Sequence, residues 1–283
     1  MRISRRHRGY VLVMTLAALV LAATVMTTLA LSAIDHTREA RRAVDEIQRR
    51  WGVISVRQAI LTNAEHILAY HEAQFHQPTP SLGTSVRLGR YHFALVIADE
   101  QAKANVNAVI TAAPDRSLAE DRIRRALAST GISTNVRLRP AVASVATTQP
   151  IRGLGQVIDA SNPARLGSVS NLLTCWGDGR INLSRASASA IALAAPTLLQ
   201  TDIQRLLKVR SDPATLAQMQ PGDALEQFLT AAHVDPGRAG GLTLTSTCHS
   251  IWIITDDGRR VWYDLAVRDD ANPDQPQVRC FSW

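Results

Sequence analysis

Cysteine and histidine supply many catalytic nucleophiles and metal ligands, and this chain has three cysteines and eight histidines. Cys248 and His249 are adjacent, but neighbouring side chains of a strand point to opposite faces, which separates a nucleophile from its base. His66, His71 and His76 recur every five residues, a spacing that does not align one face of a helix. The sequence also has no phosphate-binding loop and no His-Glu-x-x-His motif. These patterns favour a protein without catalytic activity and without a small-molecule substrate.

The cysteines, Cys175, Cys248 and Cys280, lack the Cys-x-x-Cys and Cys/His spacings of zinc sites. In an oxidising compartment two of them could form a disulfide and leave one thiol over. We predict the pair Cys248 and Cys280, because both lie in predicted C-terminal strands. The alternative is that all three are buried as small hydrophobic side chains.

The N-terminus combines a basic segment with a long apolar one. Residues 1–9 contain four arginines, and the 25 residues from Tyr10 to Ile34 carry no formal charge. About 20 apolar residues are enough to cross a bilayer, whereas the apolar region of a secretory signal has roughly 7–15. We therefore predict a transmembrane helix at 10–34. Basic residues stay on the cytoplasmic side of a first helix, so the chain from Asp35 onward is expected outside the cytoplasm.

The composition is that of a chain with a hydrophobic core. It has 283 residues, of which 46% are hydrophobic, and a formal net charge of +7. This length allows an anchor and one large or two modest domains. Four of the positive charges belong to residues 1–9, so the remainder carries +3 of the +7. The basic balance therefore reflects membrane orientation in part, and it does not indicate a nucleic-acid-binding surface.

A helix is predicted to continue the apolar segment through residues 35–76, where a Gln-Pro-Thr-Pro sequence ends it. Its apolar residues recur three and four positions apart, and charged residues fill the other faces. Val44, Ile47, Trp51 and Ile54 form a narrow apolar stripe, called the stem stripe below. Such a stripe is typical of a helix that packs against other helices.

The rest of the chain divides into strand and helix patterns. Residues 77–111 are predicted to supply strands of the sheet. Apolar residues alternate strictly from Tyr91 to Ile97, which predicts one strand, and residues 104–107 predict a short second strand. Residues 112–240 contain several helical patterns separated by irregular stretches. Residues 241–283 predict three antiparallel strands joined by an Asp-Asp-Gly turn.

The junction of the basic segment with Gly9 and Tyr10 resembles the leader of type IV pilins and pseudopilins. The resemblance implies that a prepilin peptidase cleaves after Gly9 and methylates the new N-terminus at Tyr10. The apolar helix then stays on the mature protein. Most such leaders have a glutamate five residues into the mature chain, where this sequence has Met14. The minor pseudopilin K family of type II secretion systems also lacks this glutamate, and its members sit at the filament tip.

Two further segments are similar to that family. Residues 98–107 resemble its "Asp-Glu-x-Gly-Lys-hydrophobic-Asn-hydrophobic-Asn" segment, with Ala102 in place of the glycine. Residues 178–187 resemble its "Asn-hydrophobic-Asn-Thr-Ala-Ser" signature, with Ser184 and Arg185 in place of an asparagine and the threonine. We predict structural roles for the asparagines in both segments, because Asn side chains bond nearby backbone groups and cap turns.

The resemblance implies an α+β, type IV pilin-like fold. In this fold a long N-terminal helix packs on an antiparallel sheet, and a helical (SAM-like) domain is inserted into the sheet. The implied function is a minor pseudopilin at the tip of a type II secretion pseudopilus, which initiates assembly and supports protein export. The implied location is the inner membrane, crossed once, with a periplasmic head. The expected partners are the prepilin peptidase and other minor pseudopilins, bound through the stem stripe, and no nucleic acid is expected.

Pseudopilin heads often carry calcium, so the resemblance would allow a calcium ion here. The candidate ligands are the acidic residues of the C-terminal turns, Asp256, Asp257, Asp269, Asp270 and Asp274. Their spacing matches no calcium-binding loop, and solvated turn residues are the simpler interpretation. The sequence therefore assigns no metal ligand.

Two alternative functions stay open. The same fold could belong to a minor pilin of a type IV pilus assembly system. Residues 181–210 also resemble the helix-hairpin-helix module of membrane-anchored DNA-binding proteins. However, the hairpin from Pro196 to Thr201 lacks the glycines that expose backbone N–H groups to phosphate.

Overall fold

The computed structural model divides the chain into two compact units, residues 1–54 and residues 55–283. It describes residues 6–132, 136, 151, 153–157, 163–217, 219–220, 222–256, 261–270 and 277–282.

A single helix, α1 (Arg6–Leu61), accounts for the described part of the first unit. By length and composition, this helix could cross a membrane. The apolar side chains between Tyr10 and Ile34 are exposed, as expected for a surface that faces lipid. The threonine hydroxyls in this stretch donate to carbonyls of the preceding turn, for example Thr24 to Leu21 at 2.8 Å. These hydroxyls need no hydrogen-bond partner from outside the helix.

The described part of the second unit contains the end of α1, eight further helices and nine strands. The helices are α2 (Ala64–Phe75), α3 (Val106–Thr111), α4 (Arg116–Ser129), α5 (Pro163–Ser170), α6 (Ala188–Ala194), α7 (Gln200–Arg210), α8 (Pro213–Ala217) and α9 (Ala224–Ala231). The strands are β1 (Ser81–Leu88), β2 (Tyr91–Asp99), β3 (Ala104–Asn105), β4 (Leu173–Thr174), β5 (Ile181–Asn182), β6 (Leu242–Thr243), β7 (Cys248–Asp256), β8 (Val261–Asp269) and β9 (Gln277–Ser282).

Five strands form one antiparallel sheet in the order β1-β2-β7-β8-β9. Helix α2 packs on its central strands, β2 and β7. Because side chains alternate along a strand, Leu95 and Ile97 of β2 share one face with Ile251 and Ile253 of β7, and all four are buried. Leu68 of α2 is fully buried as well. We call this the inner face of the sheet.

The polypeptide between β2 and β7 forms the helical insertion, although these two strands are neighbours in the sheet. Its helices pack around their own core, in which Ile123, Leu127, Ile191, Ile203 and Phe228 are almost completely buried. Helix α4 contacts α6, and α6 contacts α7. The predicted α+β fold, with a long N-terminal helix, an antiparallel sheet and a helical insertion, is therefore confirmed.

Three local expectations differ from the structure. The helix predicted through residues 35–76 is interrupted, since α1 ends at Leu61 and α2 begins at Ala64. Residues 104–107 were expected to be a strand, but only Ala104–Asn105 is one, because the Asn105 side chain caps α3 and starts a helix at Val106. The alternation that predicted β2 gave no sign of β1, which pairs with β2 over its full length. Gly89, with φ 60°, makes the tight turn between these two strands.

The predicted Cys248–Cys280 disulfide is not formed, and Cys175, Cys248 and Cys280 are all free. Strand β8 lies between the two candidates, since Cys248 is opposite Asp269 and Cys280 is opposite Ala266. Adjacent strands are about 4.8 Å apart, so two strand spacings give roughly 10 Å. Disulfides need Cα atoms within about 7 Å of each other.

Candidate functional site

Arg185 lies at the centre of a buried ionic cluster, with a side chain only 3% exposed. Its Nε and Nη2 donate to the two carboxylate oxygens of Glu72 at 2.8 and 2.9 Å. Its Nη1 and Nη2 donate to the two oxygens of Glu65 at 2.5 and 3.0 Å. Nη1 also donates to Asp99 Oδ2 at 3.2 Å. These five contacts match the five N–H donors of a guanidinium group.

The cluster joins three parts of the second unit. Glu65 and Glu72 are seven residues apart on α2, which places them on one helix face, two turns from each other. Asp99 is the last residue of β2, and Arg185 lies in the turn that follows β5. A single guanidinium therefore connects the helix, the sheet and the insertion.

The turn that presents Arg185 is itself held in place. The carbonyl of Asn182 accepts hydrogen bonds from the N–H groups of Arg185 and Ala186 at 3.2 and 2.8 Å. The Nη1 atom of Arg210, at the end of α7, donates to the carbonyls of Leu183 and Ala186 at 3.1 and 2.6 Å. Burial lowers the pKa of Arg210. Two arginines thus cooperate, one fixing the turn and the other making the ionic contacts.

Asp99 uses both carboxylate oxygens. Its Oδ1 accepts from the backbone N–H groups of Gln101 and Ala102 at 2.9 and 3.2 Å, and from the hydroxyl of Ser246 at 2.6 Å. Its Oδ2 accepts from Asn182 Nδ2 at 2.9 Å, besides the guanidinium. Asp99 therefore caps the turn after β2 and anchors both ends of the insertion to the sheet.

His249 of β7 extends the cluster, with its Nε2 2.9 Å from Glu65 Oε2. Burial raises the pKa of the Glu65 carboxyl, but the hydrogen bonds from His249 and Arg185 outweigh burial and lower the pKa to about 2. For Arg185, burial opposes the charge, and the bonds to Glu72 and Glu65 raise its pKa above the usual value. Both partners are therefore charged at neutral pH.

Glu65, Asp99 and His249 place three ligand-type atoms within 4.8 Å of one another. Carboxylates and imidazole bind metals in proteins, and the sequence patterns did not point to this group. Here the same oxygen atoms already accept hydrogen bonds from Arg185, and His249 is bonded to Glu65. The arrangement serves as a cross-link, in which a guanidinium is the cation.

The acidic residues weighed as candidate calcium ligands lie elsewhere. Asp256 ends β7 and Asp269 ends β8. Asp270 forms an ion pair with Arg268, with 2.9 Å between the carboxylate oxygen and Nε. The other two candidates, Asp257 and Asp274, lie outside the described residues, and a calcium ion stays only what the resemblance allows.

A second buried charge pair lies beside the cluster. Glu100 is 1% exposed and accepts from Lys103 Nζ at 2.6 Å. The hydroxyls of Ser250 and Thr174 complete its partners, each at 2.5 Å. A buried carboxylate with this many donors is well satisfied. The acidic and basic residues of the 98–107 segment are therefore structural.

The predicted structural role of the asparagines is confirmed. The Asn105 side chain caps α3 and donates to the carbonyl of Trp176 at 2.8 Å. Asn107 exchanges two hydrogen bonds with the backbone of Ile151, at 3.0 and 2.7 Å. Asn182 bonds to Asp99, as described above. These side chains connect segments that are far apart along the chain.

The two buried cysteines, Cys175 and Cys248, are poor nucleophiles in this structure. Burial raises the pKa of the Cys175 thiol to about 12, with a smaller contribution from the charge of Glu100. Burial also raises the pKa of Cys248, which lies beside Glu100 as well. Both groups are protonated thiols at neutral pH, whereas the thiolate is the reactive form.

The residues of the stem stripe are exposed. The exposed fractions are 52% for Val44, 55% for Ile47, 64% for Trp51 and 37% for Ile54. Gly9 and Tyr10, the predicted processing site, both lie within helix α1, and Tyr10 is exposed. Along the sequence, the predicted stripe and processing site both precede the residues of the Arg185 cluster.

The chain matches no protein-family model and no curated protein sequence. Among solved structures, it is similar to a chain in the crystal structure of the GspK-GspI-GspJ complex from the type 2 secretion system of enterotoxigenic Escherichia coli. The TM-score is 0.52 at 15% sequence identity, and the likeness covers 87% of this chain and 99% of that chain. Such a likeness shows the fold. The class is therefore a pilin-like α+β fold, shared over 87% of this chain with a component of that complex.

Proposed function

We propose that this chain is a minor pseudopilin of a type II secretion system that assembles with other minor pseudopilins. One observation carries the proposal: the likeness spans 99% of a chain whose complex is named GspK-GspI-GspJ. The likeness covers 87% of this chain, which includes the helical insertion between β2 and β7. The role is structural, and the two buried thiols and the self-satisfied ionic cluster support the absence of catalysis.

In this proposal α1 anchors the protein in the inner membrane, and the second unit is periplasmic. The length and apolar composition of α1 support the anchor. The arginines before Gly9 favour a cytoplasmic N-terminus. A prepilin peptidase cleaves between Gly9 and Tyr10 and methylates the new N-terminus.

The stem stripe is the proposed contact with the other minor pseudopilins. Its four side chains are exposed and apolar, and burying one such side chain contributes about 1.5–3 kcal/mol. The nearby charged residues pair with one another instead, Glu46 with Arg49 at 3.0 Å and with Arg50 at 2.7 Å, and none of these three belongs to the stripe. Hydrogen bonds from Arg49 lower the pKa of Glu46 to about 2, so Glu46 is charged at neutral pH.

A position at the filament tip follows from Met14. A carboxylate at this position would neutralise the N-terminal amine of a neighbouring subunit within the membrane, where an unpaired charge is costly. Met14 has no charge to offer, so this subunit does not need to dock against another subunit's amine. The bulky insertion also suits a terminal position, where it does not have to fit within a packed shaft.

Co-purification of the full-length chain with co-expressed minor pseudopilins tests the proposal. We expect the substitutions Trp51→Glu and Ile54→Glu to abolish co-purification and to reduce secretion. The matched control is Tyr70→Glu, because Tyr70 is 67% exposed on α2 and lies outside the stripe. The proposal fails if the stripe variants retain their partners while the protein remains folded and inserted.

A further inference from the structure

One edge of the five-stranded sheet is open within the described residues. Strand β9 pairs with β8 from Asp269↔Gln277 to Asp264↔Ser282 and has no strand on its other side. An edge strand presents a row of unpaired N–H and C=O groups that can pair with another chain. Proteins usually protect such edges with charged side chains, especially lysine, with proline or with a bulge. Strand β9 contains neither proline nor lysine, and its pairing register has no bulge. Its one charged side chain, Arg279, lines the cleft described next.

A cleft of about 1080 Å³ lies over one face of this edge strand and of its neighbour β8, which contributes Val267 and Asp269. Gln277, Arg279 and Phe281 line it from β9, and they share one face because side chains alternate along a strand. The opposite wall belongs to the insertion and includes Trp176 and Gly179. The rings of Trp176 and Phe281, 6.3 Å apart, form an aromatic contact across the cleft.

The insertion wall is rigidly built. Gly177 and Gly179 have φ angles of 85° and 87°, a backbone region that residues other than glycine rarely adopt. A Cβ at Gly179 would lie 2.9 Å from the Cβ of Ala108. Asn105 Nδ2 donates to the carbonyls of Trp176 and Gly177 at 2.8 and 3.3 Å. The cleft is therefore formed before anything binds, which lowers the entropy cost of binding.

We propose that the β9 edge and this cleft accept an extended strand of another minor pseudopilin, which adds to the sheet beside β9. The inference rests on the proposed function. The open backbone groups require an extended polypeptide, and pairing with them supplies affinity in known strand-addition complexes. Alternate side chains of the added strand enter the cleft beside Arg279 and Phe281.

The fold itself supplies the reason for this partner. A pilin-like head carries an antiparallel sheet with open edges, as β1 and β9 are in the described part of this chain. A partner with the same fold offers a matching edge strand, so the two sheets can join edge to edge. The cleft volume of about 1080 Å³ slightly exceeds the roughly 300–1,000 Å³ of small-molecule pockets, which suits several side chains of a polypeptide.

Photo-crosslinking in membranes tests this surface. A benzophenone amino acid replaces Arg279 in the full-length chain, which is co-expressed with the other minor pseudopilins. The matched control replaces Arg87, an arginine on the same face of the opposite edge strand, β1. We expect an adduct with one of the pseudopilins from position 279 and none from position 87. Equal adducts at both positions, no adduct at 279, or an adduct only with a secreted protein would overturn the proposal.

A second variant tests the backbone edge. Gln277→Lys adds to β9 a lysine, the charged side chain that especially protects natural edge strands. We expect a several-fold lower adduct yield from position 279. Ser85→Lys on β1 is the control and should leave the yield unchanged. An unchanged yield in Gln277→Lys counts against strand addition. If Trp51→Glu still abolishes co-purification while the 279 adduct is missing, this inference fails and the proposed function stands.

Discussion

Arg185 and Glu72, 113 residues apart in the sequence, form a bidentate ion pair with hydrogen bonds of 2.8 and 2.9 Å. This geometry is the strongest form of an arginine–carboxylate contact, because two parallel N–H groups meet two oxygens. Glu72 belongs to α2 and Arg185 to the insertion. The contact therefore joins the helix that packs on the sheet to a segment that the chain adds between two neighbouring strands.

Removing Arg185 should destabilise the protein strongly. Arg185→Met leaves Asp99, which is fully buried, without its cationic partner. Breaking a buried ion pair costs about 3–5 kcal/mol, and we expect about 3 because Glu65 is half exposed and solvent compensates part of the loss. Urea unfolding of the full-length protein in detergent measures the change.

Arg180→Met is the control for that variant. Arg180 pairs with Asp178 at 2.6 Å, but its side chain is 61% exposed. Exposed pairs contribute about 0–1 kcal/mol. Similar losses for the two arginines would contradict the central role of Arg185.

The cluster should make stability depend on pH in the acid range. The pKa of the Glu65 carboxyl is about 2 in the folded protein and 4.5 when its interactions are absent, as in the unfolded chain. As pH falls, the unfolded chain therefore binds this proton before the folded protein does. The stabilisation is fully present above about pH 4.5 and is lost as pH decreases toward 2. We expect the difference in Tm between the wild type and Glu65→Gln to shrink over this interval. A difference that stays constant from pH 6 to pH 2 would show that the charge of Glu65 is not the cause.

The three thiols should react very differently. Cys280 is exposed, whereas Cys175 and Cys248 are buried and have raised pKa values. Brief maleimide labelling of the native protein at neutral pH should modify Cys280 alone, and labelling in urea should modify all three. Intact-mass measurement counts the labels. A label on Cys175 or Cys248 in the native protein would contradict the burial of these two thiols.

Processing gives a direct test of the N-terminal prediction. N-terminal sequencing of the membrane-extracted protein should yield Tyr-Val-Leu-Val, with methylation of the first residue. Gly9→Val should block the cleavage, because the resemblance implies a peptidase that acts after glycine. The control is Arg8→Lys, which keeps the basic character and should be processed normally. A mature chain that begins at Met1 or after Ile34 contradicts the prediction.

The local patterns of the sequence determined the long apolar helix and most strands of the sheet. The charge-free run from Tyr10 to Ile34 predicted an apolar helix, and α1 covers it. Alternation from Tyr91 predicted β2, because the period of a strand is two. The asparagines were predicted to be structural from their side-chain chemistry alone. Each of these features depends on residues that are near one another in the chain.

The tertiary structure alone decided the ionic cluster and the state of the cysteines. Glu65 and His249 are 184 positions apart and meet only because β7 lies beside α2. The one sequence signal for the cluster was Arg185, which replaces the threonine of the similar signature. Cys248 and Cys280 lie in strands that are both near the C-terminus, yet β8 separates them. Strand order and helix packing set these distances. Both result from the burial of apolar faces across the whole second unit, and no short stretch of sequence encodes that burial.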